Sequence, residues 1–247
     1  MTLRTTGIAA VLVSIIAGLT STLLFAAAFQ FRADQEPRRL LAAGATSAEL
    51  LRWGAVLDLF GYYLPTAVLA YVLWRQLRPG NALLADLSTM AGVGYALAGG
   101  AGAAVLAVFG PMLMHEYTEA SATDRVVITA QFVAMTEVIM RSIWQFLDGI
   151  LIGAWWLGIG LLLRADRPRL SVLTLVLAAV AAVGAFVNLV GLSLVRDVLL
   201  GVLFILWFAW WISVLVVFLR QRETAQKQPR RRLCSNRPER AVNGRSN

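Results

Sequence analysis

Ionisable and amide side chains inside apolar surroundings are where chemistry is to be sought in this chain, and six stand out: Asp58, Glu137, Arg141, Gln145, Asp148 and Asn188. Four of them fall in the apolar run 124–164. At 100° per residue Glu137, Arg141, Gln145 and Asp148 lie within roughly 80° of one another, a single polar stripe on an oily helix. A charge near the centre of a bilayer costs about 2.5–3.5 kcal/mol on insertion scales, so such groups are expected to face a bundle interior and to have partners. Arg141 is one turn from Glu137 and two from Asp148 and is expected to pair with either. With Asp58 added, three acids meet one base, and one carboxyl must be neutralised by a proton, by water or by a cation. That is the chemistry of an ion or polar-solute site. The competing reading makes Glu137 and Arg141 an ordinary surface pair, and Asp58 and Asp148 ties between helices.

The elements that position these groups follow from composition. Of 247 residues 59% are apolar, above the roughly 45–50% of soluble domains. The chain is therefore predicted to be an all-α, polytopic membrane bundle with six transmembrane helices, over 7–31, 53–74, 87–114, 142–163, 170–194 and 198–219. Each of these runs is about as long as the ~20 residues a crossing needs, or longer. The first is too long for the ~7–15-residue core of a signal peptide and is read as an uncleaved span. Between the first two spans a short interfacial helix is expected, with Thr46 and Glu49 spaced to cap the helix that follows. Pro65 should kink the second span. Glycines at 92, 94, 99, 100 and 102, and the Gly149/Gly153 pair, are read as helix-packing positions. Trp207, Trp210 and Trp211 are read as packing and interface anchors. Ser121 and Asp124 are spaced to cap the long fourth helix, whose outer half must either project from the membrane or break. Residues 1–219 thus form the bundle, and 220–247 a basic, disordered cytoplasmic tail.

Orientation follows from charge. Arg4, Arg75, Arg78, Arg164, Arg167, Arg169 and nine tail residues fall on one face, against Arg32, Arg38, Arg39, Arg52, Arg125 and Arg196 on the other. The positive-inside rule then puts both termini in the cytoplasm. Depth arithmetic places Asp148 about 22 Å above the inner end of its span and Asp58 about 8 Å below the outer surface, which is one level. Asn188 arrives near the outer interface as well. An outward-facing polar vestibule is the expectation.

Several chemistries lack their motifs. There is no His-Glu-x-x-His pair, no Gly-x-Ser-x-Gly elbow and no phosphate loop after a strand. Cys234 is the single cysteine and His115 the single histidine, so no disulfide, metal centre or cofactor is expected. Nucleic acid is not an expected partner, because the excess positive charge sits in the tail, where anionic inner-leaflet lipids are the natural contact. The lipid bilayer is the main partner, and a homo-oligomer or a second membrane protein is left open. Arginine in place of lysine and a high alanine content point to a GC-rich bacterial genome.

Arg52-Trp53-Gly54 at the opening of span two, Gln145-Phe146-Leu147-Asp148-Gly149 in span four and the Arg-x-Pro-Arg turn before span five resemble a family of bacterial six-helix membrane proteins defined as a domain of unknown function. The resemblance covers most of residues 5–220. It implies an integral membrane protein and carries over no functional residue. The leading expectation is a non-enzymatic membrane protein of unassigned function with an outward vestibule. The alternative is a small transporter or channel binding an ion or polar solute at the intramembrane carboxylates. An enzyme acting on lipid is the third.

Overall fold

The computed structural model describes residues 2–31 and 36–235, the last segment of these, 221–235, by its backbone alone. Every regular element among the described residues is helical. Six helices are long and apolar enough to cross a membrane: Leu3–Ala28, Ala45–Leu77, Ala82–Glu119, Ala122–Leu163, Pro168–Leu189 and Ser193–Arg220. The protein is an all-α, multi-pass bundle, as composition predicts.

The first span, α1 (Leu3–Ala28), starts on a Thr2/Thr5 capping box, which satisfies backbone donors that a helix start leaves open. It stops short of residue 31 because Gln30 and Phe31 take left-handed backbone angles, φ 54° and 57°. A short helix, α2 (Pro37–Leu41), follows, with proline in its first turn where no amide hydrogen is missed. The second span opens eight residues before Trp53, at Ala45, from Gly44 with φ +86°. Thr46 and Glu49 do not cap it, and Glu49 pairs instead with Arg52 at 3.2 Å.

This second span is three pieces in one rod: α3 (Ala45–Asp58), a π-helical segment (Leu59–Tyr63) and α4 (Leu64–Leu77). Pro65 falls in the first turn after the π segment, where the i→i+5 bonding pattern already changes and no break is needed. The third span, α5 (Ala82–Glu119), is capped by Asn81. The fourth begins with α6 (Ala122–Glu137), on the Ser121 cap that the sequence marks, passes through a π segment (Val138–Leu147) and ends as α7 (Asp148–Leu163). The fifth is α8 (Pro168–Leu189) and the sixth α9 (Ser193–Ser235). The turn between them is at Gly191, φ +78°, so Arg196 and Asp197 belong to the first turn of α9 and not to a loop. Residues 220–235, expected to be disordered, continue α9 as helix. Residues 236–247 of the tail lie outside the described residues.

The long fourth helix neither stops nor turns. Its 42 residues would extend about 63 Å, twice the ~30 Å of hydrocarbon, and the surplus is packed. A second apolar core of Leu40, Leu41, Leu51, Leu113, Met114 and Phe132 joins α2, α3, α5 and α6. Arg125 closes the α5/α6 tip by donating to the carbonyls of Tyr117 (3.1 Å) and Thr118 (3.3 Å). At the opposite end Arg4 Nε donates to the Phe218 carbonyl at 2.7 Å, so the start of span one and the end of span six share a face. The main core lies between, around Trp155, Trp156, Trp210 and Trp211. Trp210 donates to Thr174 Oγ1 at 2.9 Å. Trp207, Trp210 and Trp211 are all buried, as the packing reading expects.

Candidate functional site

Both buried aspartates stand at the edge of a π segment. Asp58 is the last residue of α3 and Asp148 the first of α7. A π turn holds more residues than an α turn and is a frequent companion of functional sites. Asp58 is 8% and Asp148 3% exposed, and both line one cavity of about 250 Å³. Its walls are Tyr62, Tyr63, Tyr95, Trp144, Trp156 and Trp207, closed by Ala181 and Ala185 of α8 and by Leu199, Leu203 and Phe204 of α9. A second cavity of about 360 Å³ shares Asp58, Tyr62, Trp144, Gln145, Leu200 and Phe204 with it and continues towards Ser21, Thr22 and Phe29 at the end of α1. The pair occupies the half of the bundle remote from Leu3 and Phe218.

Glycines let the helices close on this site. A Cβ on Gly99 would overlap the Tyr63 ring and Asp148 Oδ2, and one on Gly102 would stand 3.0 Å from Trp144 Nε1. Gly61, in the first π segment, lies against the Gly18 backbone of α1, where Ser14 donates to the Gly61 carbonyl. Gly149 and Gly153 seat α7 on Ala185, Ala181 and Ala178 of α8. Small residues at such crossings let backbones approach in lipid, where packing replaces the hydrophobic force.

Asp148 is incompletely satisfied, and Asp58 is held by one long contact. Tyr63 donates its hydroxyl to Asp148 Oδ2 at 3.1 Å, whereas Asp148 Oδ1 and Gln145 Oε1 are buried with no hydrogen-bond partner among the described residues. The Ser21 hydroxyl has one proton and is 2.9 Å from the Gly54 carbonyl but 3.5 Å from Asp58 Oδ1, the far limit of a hydrogen bond. Tyr62 and Thr22 bond to each other at 2.9 Å beside it. Buried polar groups normally have partners, and an orphaned acceptor in a cavity marks room for a donor.

The structure brings together Asp58, Gln145 and Asp148 from the predicted set and separates the rest. Arg141 and Glu137 form their ion pair on the outside of the helix, with side chains 59% and 40% exposed, and face neither aspartate. The reason is the π segment. Its i→i+5 ladder advances less than 100° per residue, so the single stripe drawn with α-helical phase splits between Arg141 and Asp148. Asn188 is not in the cavity either: its amide donates to the Arg141 carbonyl at 2.9 Å and ties α8 to the π segment.

The guanidinium that does line the cavity is Arg196, with a side chain 17% exposed and held by Asp197 at 2.8 Å. The apolar runs 170–194 and 198–219 leave it between two spans, where it reads as a loop charge on the outer face. The glycine at 191 was the available signal, since it fixes the turn and puts Arg196 one turn into α9. Tyr63 and Tyr95, with rings 5.1 Å apart, and Trp144, which donates to the Gly99 carbonyl at 3.1 Å, carried no distinguishing pattern among the other aromatics.

No family model, no curated protein and no solved structure matches the chain. The site is therefore read from its own geometry.

Proposed function

We propose that this is a solute-binding protein of the bacterial plasma membrane, a small transporter or channel rather than an enzyme, whose vestibule takes up a cation at Asp58 and Asp148. The observation that carries the reading is that carboxylates from two different spans line one cavity, and that one of them keeps an oxygen without a partner. An intramembrane acid costs several kcal/mol unless it is compensated. Leaving part of that compensation to a ligand is what a binding site does and a structural tie need not do.

The orientation belongs to the same proposal. With the Leu3 and Phe218 ends in the cytoplasm, as the excess of arginine there favours, the vestibule faces outward and the basic tail meets anionic inner-leaflet lipids. Proteoliposomes test the function. Cation addition should drive a flux read by an internal pH dye or by isotope uptake, and Asp58→Asn or Asp148→Asn should abolish it. Absence of flux in the parent protein for every cation tried would overturn the transport reading.

A second reading has its own support. The Tyr63–Asp148 bond and the Ser21–Asp58 contact each join two spans, which is what an accessory membrane protein with purely structural acids would show. Under it the same substitutions lower thermal stability to the same extent with and without added cation.

A further inference from the structure

The chemistry of the cavity lining goes further than a cation in general, and this step rests on the vestibule reading above. We infer that the vestibule binds an organic ammonium ion: a primary amine with N–H donors at one end and a compact aromatic or apolar body at the other. Four features of the lining lead there.

The first is hydrogen-bond sign. Among the described residues the lining has three buried groups that lack a partner: Asp148 Oδ1 and Gln145 Oε1, which are acceptors, and the single indole donor Trp156 Nε1. A carboxylate oxygen and an amide oxygen can be satisfied by a donor-rich head and not by another carbonyl or anion. The second is charge. Among the described lining residues Asp58 and Asp148 outnumber the single guanidinium, Arg196, which is already paired with Asp197, so the charge balance of the cavity favours a cation over an anion.

The third is the wall. Tyr62, Tyr63, Tyr95, Trp144, Trp156 and Trp207 surround the acids, and aromatic faces attract an ammonium while giving a dehydrated alkali ion few oxygen ligands. Among the described residues no group of three His, Cys, Asp or Glu could hold a metal ion. The fourth is size. A cavity of about 250 Å³ equals about eight water volumes at ~30 Å³ each, too large for one bare ion and suited to an arylalkylamine. The continuation towards Ser21 and Phe29 supplies a path on the same side.

The test uses the full chain in nanodiscs and reads tryptophan fluorescence, since Trp144, Trp156 and Trp207 line the site. Phenethylammonium should quench saturably. Phenylethanol, which lacks the charge, and N,N,N-trimethylphenethylammonium, which keeps the charge but has no N–H, should each bind at least tenfold more weakly. Asp148→Asn should weaken phenethylammonium tenfold or more and Gln145→Leu severalfold, while Arg141→Gln, outside the cavity, should leave it unchanged. Should Asp148→Asn not fold, Gln145→Leu and the three-ligand comparison in the parent protein decide alone.

If sodium or potassium gives an Asp148-dependent signal that phenethylammonium does not compete, or if the trimethyl compound binds as well as the primary amine, this inference is overturned and the vestibule reading stands. If no cation produces a signal, both fall.

Discussion

Gly99 is the position where the packing of the site can be tested with one methyl group. Replacing it by alanine adds a Cβ that would overlap both the Tyr63 ring and Asp148 Oδ2. Overpacking of this kind costs about 1–3 kcal/mol. Moving the Tyr63 ring also threatens its bond to the carboxylate, and hydrogen bonds to charged groups contribute about 1.5–3 kcal/mol. Against this stands a gain of about 0.8–1 kcal/mol from removing glycine from a helix interior. The net expectation is a destabilisation of about 1.5–5 kcal/mol, with loss of ligand response. Gly201→Ala is the matched control, because nothing lies within 4 Å of a Cβ there and only the helix-propensity gain remains. Reversible unfolding of the purified protein in mixed detergent micelles, run on both variants, measures the difference. Equal stability of Gly99→Ala and Gly201→Ala would refute the close approach of α5 to Tyr63 and Asp148.

Other expectations concern single contacts. Ser14→Ala removes the donor to the buried Gly61 carbonyl and should cost about 0.6–2 kcal/mol, the range of interhelical hydrogen bonds in membranes; Gly61→Ala, driven into the Gly18 backbone, should cost more in the same unfolding assay. Glu137→Gln and Arg141→Gln, at an ion pair exposed on both sides, should shift stability by no more than about 0.5 kcal/mol and leave cation response intact. Asn188→Ala should loosen α8 from the π segment, since it removes the bond to the Arg141 carbonyl, and amide exchange around residues 138–147 should rise while exchange in α7 stays slow.

The layout was legible in sequence because the signals that set it are long. Six apolar runs, the Ser121 cap and the glycine pair at 149 and 153 depend on composition and spacing over many residues, and all appear in the structure. The site was legible in part. Asp58 and Asp148 were placed at one depth by counting rise along two helices, and they do line one cavity. Glu137 and Arg141 fall on the same stripe only if the phase is α-helical throughout. Nothing in the apolar periodicity of Val138–Leu147 announces a π segment; the structure shows it packed against α5 and α8. Arg196 was missed for the converse reason: a short polar pair between two apolar runs reads as a loop until the backbone shows that Gly191 makes the turn. Span ends also moved, and where α1 stops at Ala28 the cause is two left-handed residues that no periodicity records.

The central claim is that Asp58 and Asp148 share one water-accessible cavity in the half of the bundle remote from Leu3 and Phe218. Cys234 is the only native cysteine, so a Cys234→Ser background permits a direct test with Asp58→Cys, Asp148→Cys and Gly184→Cys, the last a lining position with open space around it. Proteoliposomes are treated with a small membrane-impermeant thiosulfonate, from outside or from inside. Labelling at all three positions from one and the same side, with Ile205→Cys on the lipid-exposed face of α9 unlabelled, is the predicted result. Labelling of Asp58→Cys and Asp148→Cys from opposite sides, or labelling of Ile205→Cys with neither of them, would contradict it.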